Sequence, residues 1–141
     1  MSKPDPHAFY DRLGAVMRVL RSAAAQAYAP LDLGTAQAKF LRYIGEEQGI
    51  SQAELARATV TAPTLTGRAL EPLIERGWVK RTRSEEDRRE YVLELTAAGK
   101  RARDRVLAAR ETIIAQVARA LDDRDVRDFE RIAAKILAAF A

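Results

Sequence analysis

A mainly α-helical fold with one small β-hairpin (α+β) is what this sequence predicts, and three observations carry the prediction. Residues 51–95, SQAELARATVTAPTLTGRALEPLIERGWVKRTRSEEDRREYVLEL, read as helix, turn, helix, strand, basic loop, strand. Apolar residues recur at intervals of three and four on both sides of that stretch. Glycine (7) and proline (5) are sparse among 141 residues while 31% are charged, a composition typical of helical globular chains.

Asp5-Pro6 has the form of an N-cap followed by a proline at the first helical position. Phe9, Leu13, Val16, Met17, Leu20, Ala24 and Ala27 follow at helical spacing and predict a helix from about Pro6 to Tyr28. Ala29-Pro30-Leu31-Asp32-Leu33-Gly34 breaks it. Thr35 reads as the cap of a second helix that carries Phe40, Leu41 and Ile44 and stops near Gly49. Ser51-Gln52-Ala53-Glu54 has the pattern of a capping box, with Ser51 accepting from the Glu54 amide and Glu54 reaching back. That short helix ends near Ala58. Thr61 starts the next, with Ala62 and Pro63 tolerable in its first turn. Leu65, Ala69, Leu70, Leu73 and Ile74 are its expected buried side, and Gly77 ends it. Pro72 lacks an amide donor inside this helix, so a bend is expected near residues 68–72.

Trp78 to Thr82 and Tyr91 to Leu95 read as strands, the second alternating Tyr91, Leu93, Leu95. Arg83 to Glu90 joins them and is too long and too charged for a tight turn. Thr96 caps a long helix from Ala97 to about Leu121 with Val106, Leu107, Ile113, Ile114 and Val117 on its apolar side. Asp122-Asp123 interrupts it and caps a last helix, where Val126, Phe129, Ile132, Ala133, Ile136, Leu137 and Phe140 repeat at helical spacing.

The net charge of +4 is small, but its placement is informative. Residues 96–110 hold Lys100, Arg101, Arg103, Arg105 and Arg110 against Asp104 alone. The excess follows directly on the hairpin, near where a phosphate backbone would pass. A basic hairpin behind a helix pair is a device for gripping a DNA duplex, with a helix in one groove and the loop tip in the next. The chain has no cysteine, which excludes disulfides, thiolate metal sites and thiol redox switches. His7 is the only histidine and has no clustered carboxylates at ligand spacing, so no metal site and no cofactor are implied. An enzyme reading finds neither a cysteine nucleophile nor a glycine-rich phosphate loop. No N-terminal run is apolar enough for a signal peptide or a membrane span, so the expected location is the cytoplasm.

The two terminal helices flank a compact middle and have strong apolar seams. A chain of this length offers limited cover for them, so a two-fold dimer through Phe9, Leu13, Val126, Phe129, Ile132, Ile136 and Phe140 is expected rather than packing within one subunit. The organisation is then a single domain over 1–141. Residues 35–95 form its middle part, and 1–34 with 96–141 supply the dimerisation helices.

In order and at family spacing, Gln52-Ala53-Glu54-Leu55-Ala56, Leu73-Ile74-Glu75-Arg76-Gly77-Trp78-Val79, Arg81, Asp87-Arg88-Arg89 and Leu95-Thr96-Ala97-Ala98-Gly99 resemble the MarR family of bacterial winged helix-turn-helix regulators. The likeness spans nearly the whole chain and is sharpest over residues 50–100. It implies a homodimer on a pseudo-palindromic operator. Such a regulator is commonly a repressor that lets go when a small, often phenolic or aromatic, ligand binds between the dimer part and the winged helix.

On that resemblance the second helix of the pair enters the major groove and presents Thr61, Ala62, Thr64, Thr66 and Arg68, with Gln52 on the helix before it. Arg68 is the candidate for a bidentate guanine or phosphate contact, the choice between them being open. Gly67 stands before Arg68, where many family members place the arginine directly after the threonine-rich turn. Asp87 and Arg89 resemble the family's Asp-x-Arg pair: the carboxylate fixes the arginine, which enters the minor groove. Arg88, Arg83 and Arg81 are expected near phosphates. The family's thiol-oxidising branch is closed to a chain without cysteine. Its organic-ligand type points to His7, Met17, Phe40 and Tyr43 as pocket candidates, against ordinary core for the last three. Two rival readings remain: a DNA-binding activator or architectural protein without a ligand, and a helical dimer that serves only protein partners.

Overall fold

The computed structural model describes residues 2–141, which divide into two compact units, residues 2–110 and Glu111–Ala141. The first begins with helix α1 (Pro6–Tyr28), where the Asp5 side chain accepts from the His7 amide and Pro6 occupies the first turn. A short 3-10 turn at Ala29–Leu31 and a left-handed Asp32 reverse the chain into α2 (Thr35–Glu46). Thr35 is the first residue of α2, not its cap. Gly34 holds the cap position and its amide donates to Gln37 Oε1 at 3.2 Å. The helix also stops earlier than the sequence predicts, at Glu46, because residues 47–49 turn to feed a strand.

That strand, β1 (Ile50–Ser51), is absent from the sequence reading. It pairs antiparallel with β3 (Tyr91–Leu95), Ile50 opposite Leu93. Two residues cannot show an alternation, so only the partner strand defines it. Ser51 then caps α3 (Gln52–Ala58) by accepting from the Glu54 amide at 3.0 Å. Helix α4 spans Pro63–Glu75, with Ala62 at its N-cap, so Thr61 stays outside the helix. It runs unbroken through Pro72, whose missing amide would have met the Arg68 carbonyl. Gly77, at φ +72°, turns the chain into β2 (Val79–Arg83). The sheet order is β1-β3-β2, with Val79 opposite Leu95 and Arg83 opposite Tyr91.

The core of this unit is filled by Phe40, Leu41 and Ile44 from α2, Leu55 from α3, Leu70 and Leu73 from α4, and Leu93 from β3. Helix α5 (Ala97–Ala120) sends Gly99, Ala102 and Val106 into the same core. The division between the two compact units falls inside α5, after Arg110. Glycine is required at 99: a Cβ there would lie 1.9 Å from the Trp78 carbonyl oxygen.

The register of α4 differs from expectation at one point. Leu65 is 56% exposed, whereas Thr66 is fully buried and its hydroxyl donates to the Ala62 carbonyl. Leu70 and Leu73 occupy the core as expected, and Ala69 and Ile74 pack at its edge.

The second unit comprises the end of α5 and α6 (Asp123–Ala139). Asp122 caps α6 reciprocally, its carboxylate accepting from the Asp125 amide at 2.8 Å while its own amide donates to Asp125 at 3.0 Å. No residue of α6 is buried within the chain.

Candidate nucleic-acid interface

Helices α3 and α4 and the β2–β3 hairpin enclose an open cleft of about 650 Å³ in the first unit. Gln52, Ala53, Ala56 and Arg57 supply one wall, Val60 to Pro63 the floor at the turn, and Arg89, Glu90 and Tyr91 the other wall. The cleft brings the two regions singled out in the sequence, the turn into α4 and the basic hairpin, to one surface.

The turn has an uncommon backbone. Val60 adopts φ +52° and is 93% exposed. A β-branched side chain in the left-handed region is an outlier that the surroundings must enforce. They do so through Thr59, whose hydroxyl donates to Leu55 O at 2.7 Å, and through the Val60 and Thr61 amides, which donate to Arg57 O and Ala56 O. The Thr61 hydroxyl donates to Thr59 O at 3.3 Å. Because alanine sits at the cap of α4, no side chain closes its first turn, and the Thr64 and Leu65 amides have no acceptor within the helix.

Exposure along α4 follows a helical stripe of Thr64, Leu65, Arg68, Glu71 and Glu75. The expected contact residues Thr64 and Arg68 are on it, and Ala62 lies exposed at its head. Thr66 is on the opposite side, in the core, and does not reach this surface. Gly67 faces Gln52: a Cβ at 67 would meet Gln52 Nε2 at 3.4 Å, so the glycine makes room for the amide side chain at the edge of the cleft.

The hairpin tip is a closed hydrogen-bonded loop. The Ser84 amide donates to Glu90 O at 2.9 Å, the Ser84 hydroxyl accepts from the Glu86 and Asp87 amides, and the Glu90 amide donates to Asp87 O. Asp87 accepts three bonds from Arg89: from its amide and Nε at 3.1 Å each and from Nη2 at 3.3 Å. These bonds, the side-chain ones first, hold the Asp87 carboxyl below the usual aspartate range, so it stays ionised. Arg89 itself is 90% exposed. The arrangement orients a guanidinium outward without covering it.

Arg81 and Arg83 have other work. Strand alternation puts Val79, Arg81 and Arg83 on the face of β2 that meets Leu95, Leu93 and Tyr91. Arg81 pairs with Glu71 at 2.9 Å, and its guanidinium lies 5.0 Å from the Tyr91 ring centre. Arg83 lies 4.7 Å from the same ring and donates to the Tyr91 hydroxyl and to Arg88 O. Both brace the hairpin against α4 and against its own tip. Arg88 is exposed at the tip. Two residues that the sequence reading left out belong to the site: Arg57, a lone cation with no pattern around it, and Tyr91, which read only as a strand residue.

The basic start of α5 follows the opposite end of β3 from the tip, five residues away, or roughly 17 Å of strand. There Trp78, Ala98, Arg101, Asp104 and Arg105 form a separate shallow cleft, with the Arg76 guanidinium 4.7 Å and that of Arg105 6.0 Å from the Trp78 ring. The basic cluster of residues 96–110 thus begins just after the hairpin in sequence and stands at the end of β3 away from the tip.

The pocket candidates are not gathered. Phe40 is fully buried core, Met17 is exposed on α1, and Tyr43 packs at the core edge under Arg42. His7 borders a shallow cleft with Pro6, Tyr10 and Asp11. The cleft between α1 and α2 is lined by other residues, among them Leu20, Tyr28, Thr35 and Arg42. Of the dimer candidates, Phe9, Val126, Phe129 and Phe140 are exposed, while Leu13, Ile132 and Ile136 are half-buried. Among the described residues there is no group of three or more His, Cys, Asp or Glu placed to hold a metal, and no helix long and apolar enough to cross a membrane.

A family model described as MarR family matches residues 31–90. The HTH-type transcriptional regulator BilQ of Clostridium symbiosum is 39% identical over 62 residues, which is 44% of this chain and only 43% of BilQ. The HTH-type transcriptional repressor Mb2911 of Mycobacterium bovis is 33% identical over 125 residues, covering 89% of this chain and 88% of that protein. In fold, the chain is similar to a mutant MarR from E. coli complexed with operator DNA, with a TM-score of 0.80 at 22% identity over 95% of this chain and 99% of that one.

Proposed function

The chain belongs to the MarR family of transcriptional regulators, and from that premise we propose that it binds double-stranded DNA as a homodimeric repressor. One observation carries the proposal. The turn that opens α4, Val60 to Pro63, and the carboxylate-oriented Arg89 line one cleft, and the outward stripe of α4 continues from that turn, as a helix in the major groove and a wing in the adjacent minor groove require. Thr64 and Arg68 meet base edges or phosphates, the open amides of α4 and Arg57 meet the intervening phosphates, and Arg88 and Arg89 enter or flank the minor groove. Gln52 and Thr61 line the same path, and Asp87 acts only through Arg89.

The relative Mb2911 is named a repressor, and the E. coli structure holds operator DNA, which supports this reading. Two-fold pairing through the exposed apolar residues of α1 and α6 would set two such surfaces on half-sites about 34 Å apart, a pseudo-palindrome. Release follows if a small organic ligand prefers a dimer whose surfaces are spaced wrongly for the operator. The operator is reached in the cytoplasm.

The test is selection of bound duplexes from a random pool with the full chain, followed by titration at several salt concentrations. A selected palindrome with steeply salt-dependent affinity is expected, because phosphate contacts release counterions. Arg89→Ala should weaken binding roughly ten-fold or more, from loss of charged hydrogen bonds, with the oligomer intact. No selected sequence, or a flat salt response, would overturn the proposal. A panel of aromatic acids added to the complex tests release.

A further inference from the structure

Helix α4 inverts the ordinary burial preference at two neighbouring positions. Leu65 is 56% exposed, while Thr66 beside it is fully buried. The buried hydroxyl is satisfied only by its own helix, through the Ala62 carbonyl at 3.0 Å, so it ties α4 to nothing else. Thr66, Leu70 and Leu73 stand at i, i+4 and i+7, so the phase that buries both leucines turns Thr66 inward and leaves Leu65 outward. A lone exposed leucine is common and by itself means little. Leu65, however, lies in the first turn of the helix, adjacent to Thr64 and one turn before Arg68, and all three share the outward stripe. It is the large apolar side chain exposed on α4.

We propose that Leu65 is a specificity residue that packs against the C5-methyl group of a thymine in the major groove. The inference rests on the DNA-binding reading above. Among base edges in the major groove, the thymine methyl is the one apolar feature, and it is read by apolar contact and not by a hydrogen bond. Thr64 and Arg68 supply the polar contacts of the same turn, and Leu65 adds an apolar contact that discriminates thymine from cytosine. Adenine and guanine present acceptors where Leu65 would leave them unpaired, which disfavours them at that position.

The experiment uses the full chain and a duplex selected by it. Each thymine in a half-site is replaced in turn by deoxyuridine, which removes the methyl and leaves the pairing unchanged. At one position the wild-type Kd should rise roughly four-fold per methyl lost, the equivalent of one buried carbon. Leu65→Ala should bind the thymine duplex about as weakly as wild type binds the deoxyuridine duplex, and should show no further loss on the substitution. Leu65→Met, which keeps the apolar contact, should retain the sensitivity. Because Leu65 is exposed and alanine is a good helix former, the fold is expected to tolerate both changes, and thermal melting checks it. Tight, salt-dependent binding with no position sensitive to deoxyuridine, or the same sensitivity in Leu65→Ala as in wild type, would overturn the assignment of Leu65 and leave the DNA reading standing. Failure to select any duplex would overturn both.

Discussion

Gly99→Ala is the substitution by which the join between α5 and the first unit can be tested. A Cβ at residue 99 would stand 1.9 Å from the Trp78 oxygen and 2.8 Å from its carbonyl carbon. Relaxed carbon–oxygen contacts lie near 3.3 Å, so the helix start would have to retreat by about 1.4 Å. The obstacle is backbone and cannot rotate away. A retreat of that size strains the bond from the Thr96 amide to Trp78 O at 3.1 Å and the bond from the Thr96 hydroxyl to Gly77 O. It also draws Ala102 and Val106 from the core. Overpacking costs about 1–3 kcal/mol and each weakened hydrogen bond about 1 kcal/mol, while alanine in a helix returns about 1 kcal/mol relative to glycine. The net is a loss of roughly 2–4 kcal/mol, or about 7–14 °C in Tm for a chain of this length. Circular-dichroism melting at fixed protein concentration measures it, since association would make Tm depend on concentration. Gly45→Ala is the control: its Cβ would meet Arg103 Cδ at 2.5 Å and Nη1 at 2.7 Å, a flexible side chain able to move, and Leu95 Cδ1 at 3.2 Å. It should cost clearly less. An unchanged or raised Tm for Gly99→Ala, or a larger loss for Gly45→Ala, would refute the reasoning.

Three further outcomes follow from the site. Arg81→Met, which removes the Glu71 pair and the contact with Tyr91, should lower stability by about 1 kcal/mol and change DNA affinity less than Arg89→Ala; an affinity loss as large as that of Arg89→Ala would make Arg81 a contact residue. Val60→Gly relieves a strained φ worth about 1–3 kcal/mol against a glycine entropy cost of about 0.5–1 kcal/mol, so Tm should rise by a few degrees, and a lower Tm would mean that the Val60 side chain contributes to folding. The Asp87 carboxyl is held below its unfolded value of about 3.9, so its contribution is complete above that pH and is lost as pH falls through the lower folded value. The Arg89 amide resonance should therefore stay fixed from pH 7 to about 5 and move only under stronger acid, and a transition near neutrality would contradict the Asp87–Arg89 bonds.

Local chemistry made much of this protein legible in its sequence. Asp5-Pro6, Ser51 with Glu54, Gly77, Thr96 and Asp122 mark element ends because caps and left-handed turns depend on a few adjacent residues. The alternation from Tyr91 to Leu95 fixed β3 in the same way. The Asp87–Arg89 pair was legible too, its partners being two residues apart. What the sequence could not decide involves residues far apart in the chain. Strand β1 exists only because β3 lies beside it. The phase of α4, with Leu65 out and Thr66 in, depends on which side the α2 and α3 core presents, and both choices preserve helical spacing. Arg81 and Arg83 look like hairpin cations on a string of letters. Glu71 and Tyr91, reached across the fold, turn them into braces, since an ion pair or a ring contact is set by distance in space and not by separation along the chain.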